Sequence, residues 1–168
     1  SARRAGRASC GPDADNGGVN NAVLLIAHAP LASALREAAL HVFPDAAADI
    51  AALDVQASAA PEDTLAQAHA AQAQLGWRPL LVLADCFGAT PCNVAQRLVA
   101  GAPDLRLIAG ASLPMLLRAV TYRSQPLDEM AQRALAGGVQ GAMPLGGGAP
   151  QNQPRRAPND QERHDHQQ

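Results

Sequence analysis

Between residues 21 and 145, short apolar runs alternate with longer stretches in which apolar residues recur every three to four positions. A strand buried on both faces reads as an unbroken apolar run, so this rhythm is that of a parallel sheet covered by helices on both sides. The strands are expected at Ala22–Ala27, Ile50–Val55, Leu80–Ala84 and Leu105–Ala109. Helices are expected from Leu31 to Phe43, with Leu31, Leu35, Ala38 and Val42 along one stripe, and from Pro61 to Leu75, with Glu62 and Asp63 complementing the dipole of its first turn. Further helices run from Pro91 to Val99, from Pro114 to Thr121 and from Leu127 to Leu135, and Gly76 and Gly101 stop the second and third. The stretch "GGVQGAMPLG" is open between a fifth strand and a loop. The expected fold class is α/β, doubly wound, with a mainly parallel four- to five-stranded sheet in the order 2-1-3-4 and helices on both faces. Residues 1–20 and 146–168 are polar, rich in Gly, Pro or Arg and without periodicity, so both are expected to be disordered tails around one domain at 21–145.

Charge narrows the chemistry. Thirteen basic residues stand against 15 acidic ones in 168, a formal charge of -2 that supplies no positive field for nucleic acid or for an anionic membrane. All the basic residues are Arg. Without a lysine the chain has neither a P-loop nor a Schiff base, and a response-regulator receiver domain, which shares the same rhythm, is disfavoured. Cys10, Cys86 and Cys92 are too few for a disulfide framework and form no C-x-x-C pair, which fits a reducing cytoplasm and no metal site. No apolar run approaches the roughly 20 residues of a spanning helix, and "SARRAGRASC" lacks the apolar stretch of a secretory signal, so no direct membrane insertion is expected.

Three strand-to-helix junctions carry the candidate chemistry. The first strand ends in "AHAPL", the third in "ADCFGATPCN" and the fourth in "AGASLPML", each with a proline near the start of the next helix. Proline at N1 sacrifices no hydrogen bond, Thr90 and Ser112 suit N-cap or near-cap positions, and the free amides of such helix starts suit a phosphate. In an open parallel sheet these loops share the carboxyl edge, where ligands bind at the topological switch point. With strands 1 and 3 adjacent, His28 and Asp85 meet there. A carboxylate bonded to one ring nitrogen fixes the tautomer and leaves the other nitrogen free to take a phosphoryl group, whose charge the amides offset. That chemistry needs no cofactor.

"LLIAHAPL", "VLADCFGATPCNVA" and "IAGASLPMLLRA", in this order and spacing, resemble the enzyme IIA domain of the mannose-type sugar phosphotransferase system over about residues 21–140. The resemblance implies a cytoplasmic homodimer phosphorylated on His28 by the phosphohistidine carrier HPr, which hands the group to a IIB partner in a membrane-associated complex. It implies that Asp85 orients His28, and that Thr90, at the Ser/Thr of the family's Gly-Gly-Ser-Pro loop, donates to the phosphoryl group, with Ser112 and Ala29 as further phosphoryl contacts. The chain departs from the pattern at Ala27 and Ala29, where the family has Thr-His-Gly around the histidine, at Ala89 for the second loop glycine, and at Ser112 for asparagine. Transport and a regulatory phosphorylation sensor are both open, and no IIB unit is expected within residues 146–168.

Other readings compete. The fold is compatible with a non-catalytic regulatory or ligand-binding module, and with the phosphoryl-donor subunit of a dihydroxyacetone kinase. One Trp, one Tyr and two Phe leave few walls for a flavin. Cys86, next to Asp85, is open to a redox-sensitive role, with burial as a small hydrophobe the plainer account. Arg36, Arg97 and Arg118 are candidate guides for an acidic partner, with solvated helix faces as the plainer account, and His41 and His69 read as ordinary helix positions.

Overall fold

The computed structural model describes residues 20–145; both expected tails, apart from Asn20, lie outside the described residues. Four strands, β1 (Ala22–His28), β2 (Ile50–Val55), β3 (Leu80–Ala84) and β4 (Leu105–Ala109), alternate with helices α1 (Leu31–Val42), α2 (Pro61–Gln74), α3 (Thr90–Val99), α4 (Leu113–Thr121) and α5 (Leu127–Gln140). All pairings are parallel and the order is β2-β1-β3-β4. The sheet is thus four-stranded, and β1 runs one residue further than its apolar stretch, to His28.

Strand composition sorts centre from edge. β1 and β3 are uninterrupted apolar runs and are fully buried up to Ala27 and Ala84. β2 and β4, which carry Asp54 and Arg106, are the half-exposed outer strands. Val23, Leu25, Ala27, Leu81 and Leu83 point to the face covered by α1, α4 and α5. Leu24, Ile26, Leu80, Val82 and Ala84 point to the face covered by α2 and α3. Each large side chain so buried contributes about 1.5–3 kcal/mol, and together they hold β1 beside β3. At the amino edge, Asp49 accepts a hydrogen bond from Arg78 at 2.7 Å and forms an ion pair with Arg123 at 3.0 Å, which ties the strand starts together on the side opposite the candidate chemistry.

Three expectations change at the helices. The contact stripe of α1 centres on the buried Ala32 and Ala39, with Leu35, Leu40 and Phe43 packed alongside; Leu31 and Val42 are exposed. The smallest side chains sit where the helix lies closest to the sheet. Pro30 occupies the N-cap of α1 rather than N1, after a cis Ala29–Pro30 bond. The stretch "GGVQ" is neither strand nor loop: α5 continues through it to Gln140.

Packing explains the helical glycines. A Cβ on Gly137 would lie 2.7 Å from the Cβ of Arg118 and 3.1 Å from the Pro114 carbonyl oxygen, and one on Gly138 would lie 2.6 Å from Met115 Cε and 3.3 Å from Met115 Cβ. Their bare backbone lets α5 rest directly on α4, which offsets the roughly 1 kcal/mol that each glycine costs a helix. Replacing Gly137 by Leu is therefore expected to lower stability by about 1–3 kcal/mol through overpacking, despite the better helix former. A urea midpoint at or above the wild-type value would show that the α4–α5 seam has room to spare.

Candidate functional site

The crossover reverses direction between β1 and β3, so their carboxyl ends open the crevice in which open α/β sheets bind ligands. Ile26 and Ala84 form the last rung between β1 and β3, so His28, still paired with Val55 of β2, stands two residues beyond it and Asp85 one residue beyond the end of β3. The two side chains meet. Nδ1 of His28 lies 2.7 Å from Oδ2 of Asp85, and the same oxygen accepts the backbone N–H of His28 at 3.0 Å. Oδ1 of Asp85 accepts the backbone N–H of Cys86 at 2.8 Å.

Burial and hydrogen bonding act on Asp85 in opposite directions. Its side chain is only 10% exposed, and loss of water pushes the carboxyl pKa up. The hydrogen bonds from the His28 amide and ring, the His28 charge and the Cys86 amide outweigh that, so the group is held below its ordinary value of 3.8. It is ionised at neutral pH and can only accept, so Nδ1 of His28 must carry the proton. In the neutral ring Nε2 then presents a bare lone pair. With the His28 side chain 53% exposed, that nitrogen is open to a second macromolecule.

The turn that carries His28 is also held from the other side. The Ala29 N–H donates to the Val55 carbonyl at 3.0 Å. Asp54, one residue before the end of β2, accepts the Ser33 amide at 3.1 Å through Oδ1 and the Ser33 hydroxyl through Oδ2. Sequence reasoning missed this pair, although a carboxylate inside an apolar strand, beside its carboxyl end, is a visible signal.

Thr90 is the first residue of α3, with Ala89 at the N-cap and Pro91 behind it, so Thr90 does not cap the helix. Ser112 is the N-cap of α4, and its oxygen accepts the Met115 amide at 3.4 Å, which leaves its O–H proton available. Among the described residues neither hydroxyl bonds to His28 or Asp85. Cys86 is exposed rather than buried, because the Asp85–Cys86 turn projects beyond the sheet. Beside it Phe87 is 77% exposed, and Leu31, the first residue of α1 and three residues after His28, is 40% exposed. Arg36 is tied to the Ile50 and Ala47 carbonyls and Arg97 to Glu62, so both have structural partners. His41 is exposed and its Nδ1 lies against the Glu37 carbonyl. Among the described residues no cluster of three or more His, Cys, Asp or Glu could hold a metal, and no helix is long and apolar enough to cross a membrane.

The sequence profile of a family described as "PTS system fructose IIA component" matches residues 22–135. Among solved structures the chain is similar to the mannose/sorbose-specific IIA subunit of the phosphotransferase system from Enterococcus faecalis, with a TM-score of 0.70, 27% identity and coverage of 78% of this chain and 98% of that one. It shares its fold with phosphotransferase component EIIA from Streptococcus agalactiae, at a TM-score of 0.64 and 20% identity over 73% of this chain and 95% of that one. A IIA protein associated with the fucose utilization operon of Streptococcus pneumoniae shares the fold as well, at 0.59 and 19% over 70% and 90%. No curated protein sequence matches the chain.

The lowered Asp85 value sets a pH signature. A carboxyl with a depressed folded-state pKa adds stability above its unfolded value, and that contribution fades as pH falls through the folded value. The stability gap between wild type and Asp85→Asn is expected to be widest near neutrality and to close below the carboxylate range. A gap of constant size in urea titrations from pH 7 to pH 2.5 would contradict the ionic character of the pair.

Proposed function

This chain belongs to the family of PTS fructose/mannose-type IIA components, and from that premise we propose that it carries a phosphoryl group on Nε2 of His28, received from a phosphorylated HPr-like carrier and passed to a IIB partner. The observation that carries the reading is the 2.7 Å contact between His28 Nδ1 and Asp85 at the exposed carboxyl edge of the sheet.

In the forward step the Nε2 lone pair attacks the phosphorus of the phosphorylated carrier. A new N–P bond forms on His28 while the carrier's own bond to phosphorus breaks, and that electron pair stays on the carrier. Asp85 keeps the Nδ1 proton and the ring plane fixed throughout, and stabilises the positive charge that develops on the ring. The uncapped start of α3, with the Thr90 hydroxyl, offers donors to the phosphoryl oxygens. Ser112 has an O–H proton to donate, whereas the Ala29 amide already serves Val55. Phe87 and Leu31 supply the apolar contact that a docking protein buries around the reacting atoms. Metal and cofactor are not required by this step, and the reading places the protein in the cytoplasm as a homodimer.

Incubation with phosphoenolpyruvate, enzyme I and HPr is expected to load one acid-labile, base-stable phosphoryl group per chain. His28→Ala should abolish it, and uptake that survives this change would put the nucleophile elsewhere. Asp85→Ala should keep the fold and slow transfer by about a hundredfold, the scale of a lost orienting group. Phe87→Ala is expected to raise the carrier concentration needed for half-maximal rate several-fold with little change in the maximal rate; an unchanged requirement would remove Phe87 from the docking surface.

A further inference from the structure

The helix starts at the carboxyl edge are not equivalent. α3 has no side-chain cap and no acidic residue in its first turn. The start of α4 is met by the neutral Ser112 hydroxyl. α1 likewise has no cap from its own chain segment, but Asp54 reaches across from β2 and takes the amide and hydroxyl of Ser33, the third residue of the helix. A carboxylate on those donors offsets the half positive charge that a helix start presents. The register pairs Asp54 with Ala27 and Val55 with His28, so Asp54 lies one rung before the nucleophile, with its carboxylate turned to the face covered by α1.

We propose that Asp54 is a positioning and charge-setting residue: it closes the start of α1 to the phosphoryl group, directs that group toward the uncapped α3, and keeps it easy to pass on. The proposal rests on His28 being the phosphorylated group. Phosphorylation adds close to two negative charges one rung along the carboxyl edge from Asp54, and their repulsion raises the free energy of the loaded form relative to the empty one. With Ser33 secured by Asp54 and Ala29 by Val55, the turn bearing His28 is slung between β2 on one side and Asp85 on the other. The loaded state is therefore held rigidly without being held tightly, which suits a carrier that must both accept and release.

The test is the equilibrium of the phosphoryl group between HPr and the full chain, read by intact mass at neutral pH after phosphoenolpyruvate is exhausted. Asp54→Asn keeps an oxygen for the Ser33 amide and removes the charge, and is expected to shift the equilibrium about three- to tenfold toward the loaded chain. Asp54→Ser, a second neutral variant with a capping oxygen, should shift it in the same direction. Ser33→Ala keeps the charge and should move it less than about twofold, although it loses the same hydroxyl bond. Equal equilibria for wild type and both neutral variants, with wild type loaded on His28, would overturn the role of Asp54 alone. So would a Ser33→Ala shift as large as that of Asp54→Asn. A wild-type chain that takes up no phosphoryl group overturns the functional reading and this inference together.

Discussion

The contact between the imidazole of His28 and the carboxylate of Asp85 is what the rest of the molecule is arranged to produce. One carboxylate takes three donors, two of them from the residue it orients. That arrangement settles which ring nitrogen holds the proton, and it does so at a half-exposed position where water alone would leave the two tautomers to exchange. An isolated pair at such a surface contributes little to stability. Here the carboxylate is largely buried and the backbone amides share the work, so the geometry survives exposure of the ring.

Everything beneath the pair serves to bring two strand ends together. β1 and β3 are adjacent because they alone are apolar on both faces, and the layers over them are filled by alternate side chains of the same short runs. A register shift of one residue would send these side chains to the wrong faces and move the end of β1 by about 3.3 Å relative to β3. The spacing of His28 and Asp85 is thus a consequence of core packing some distance away. Asp54 and Val55 add a restraint from the other neighbour of β1, so the turn bearing His28 has no side on which it hangs free.

Much of this was legible in the sequence because it depends on runs of identical character. Fully buried parallel strands show themselves as apolar stretches, and the bounds of β2, β3 and β4 follow directly. The pairing of His28 with Asp85 was legible because strand-end loops of a doubly wound sheet share one edge. What was hidden depended on contacts between elements distant in the chain. The glycines of α5 look like an interruption until α4 is seen pressed against them. The burial of alanines rather than leucines along α1 reflects how closely that helix approaches the sheet, and the exposure of Cys86 reflects a turn that projects outward. Asp54 reads as an edge-strand charge, and only the fold shows that it takes the amide and hydroxyl of Ser33 in the first turn of α1.

The claim at the centre is that Asp85 holds the Nδ1 proton, so that chemistry occurs at Nε2. Nitrogen-15 and phosphorus-31 NMR of the chain loaded with phosphate, with its histidines labelled, identifies the nitrogen that bears phosphorus. The account predicts phosphate on Nε2 of His28 with Nδ1 still protonated. Phosphate on Nδ1 would mean that the carboxylate does not hold that proton in the working protein, and the mechanism drawn from this geometry would be wrong.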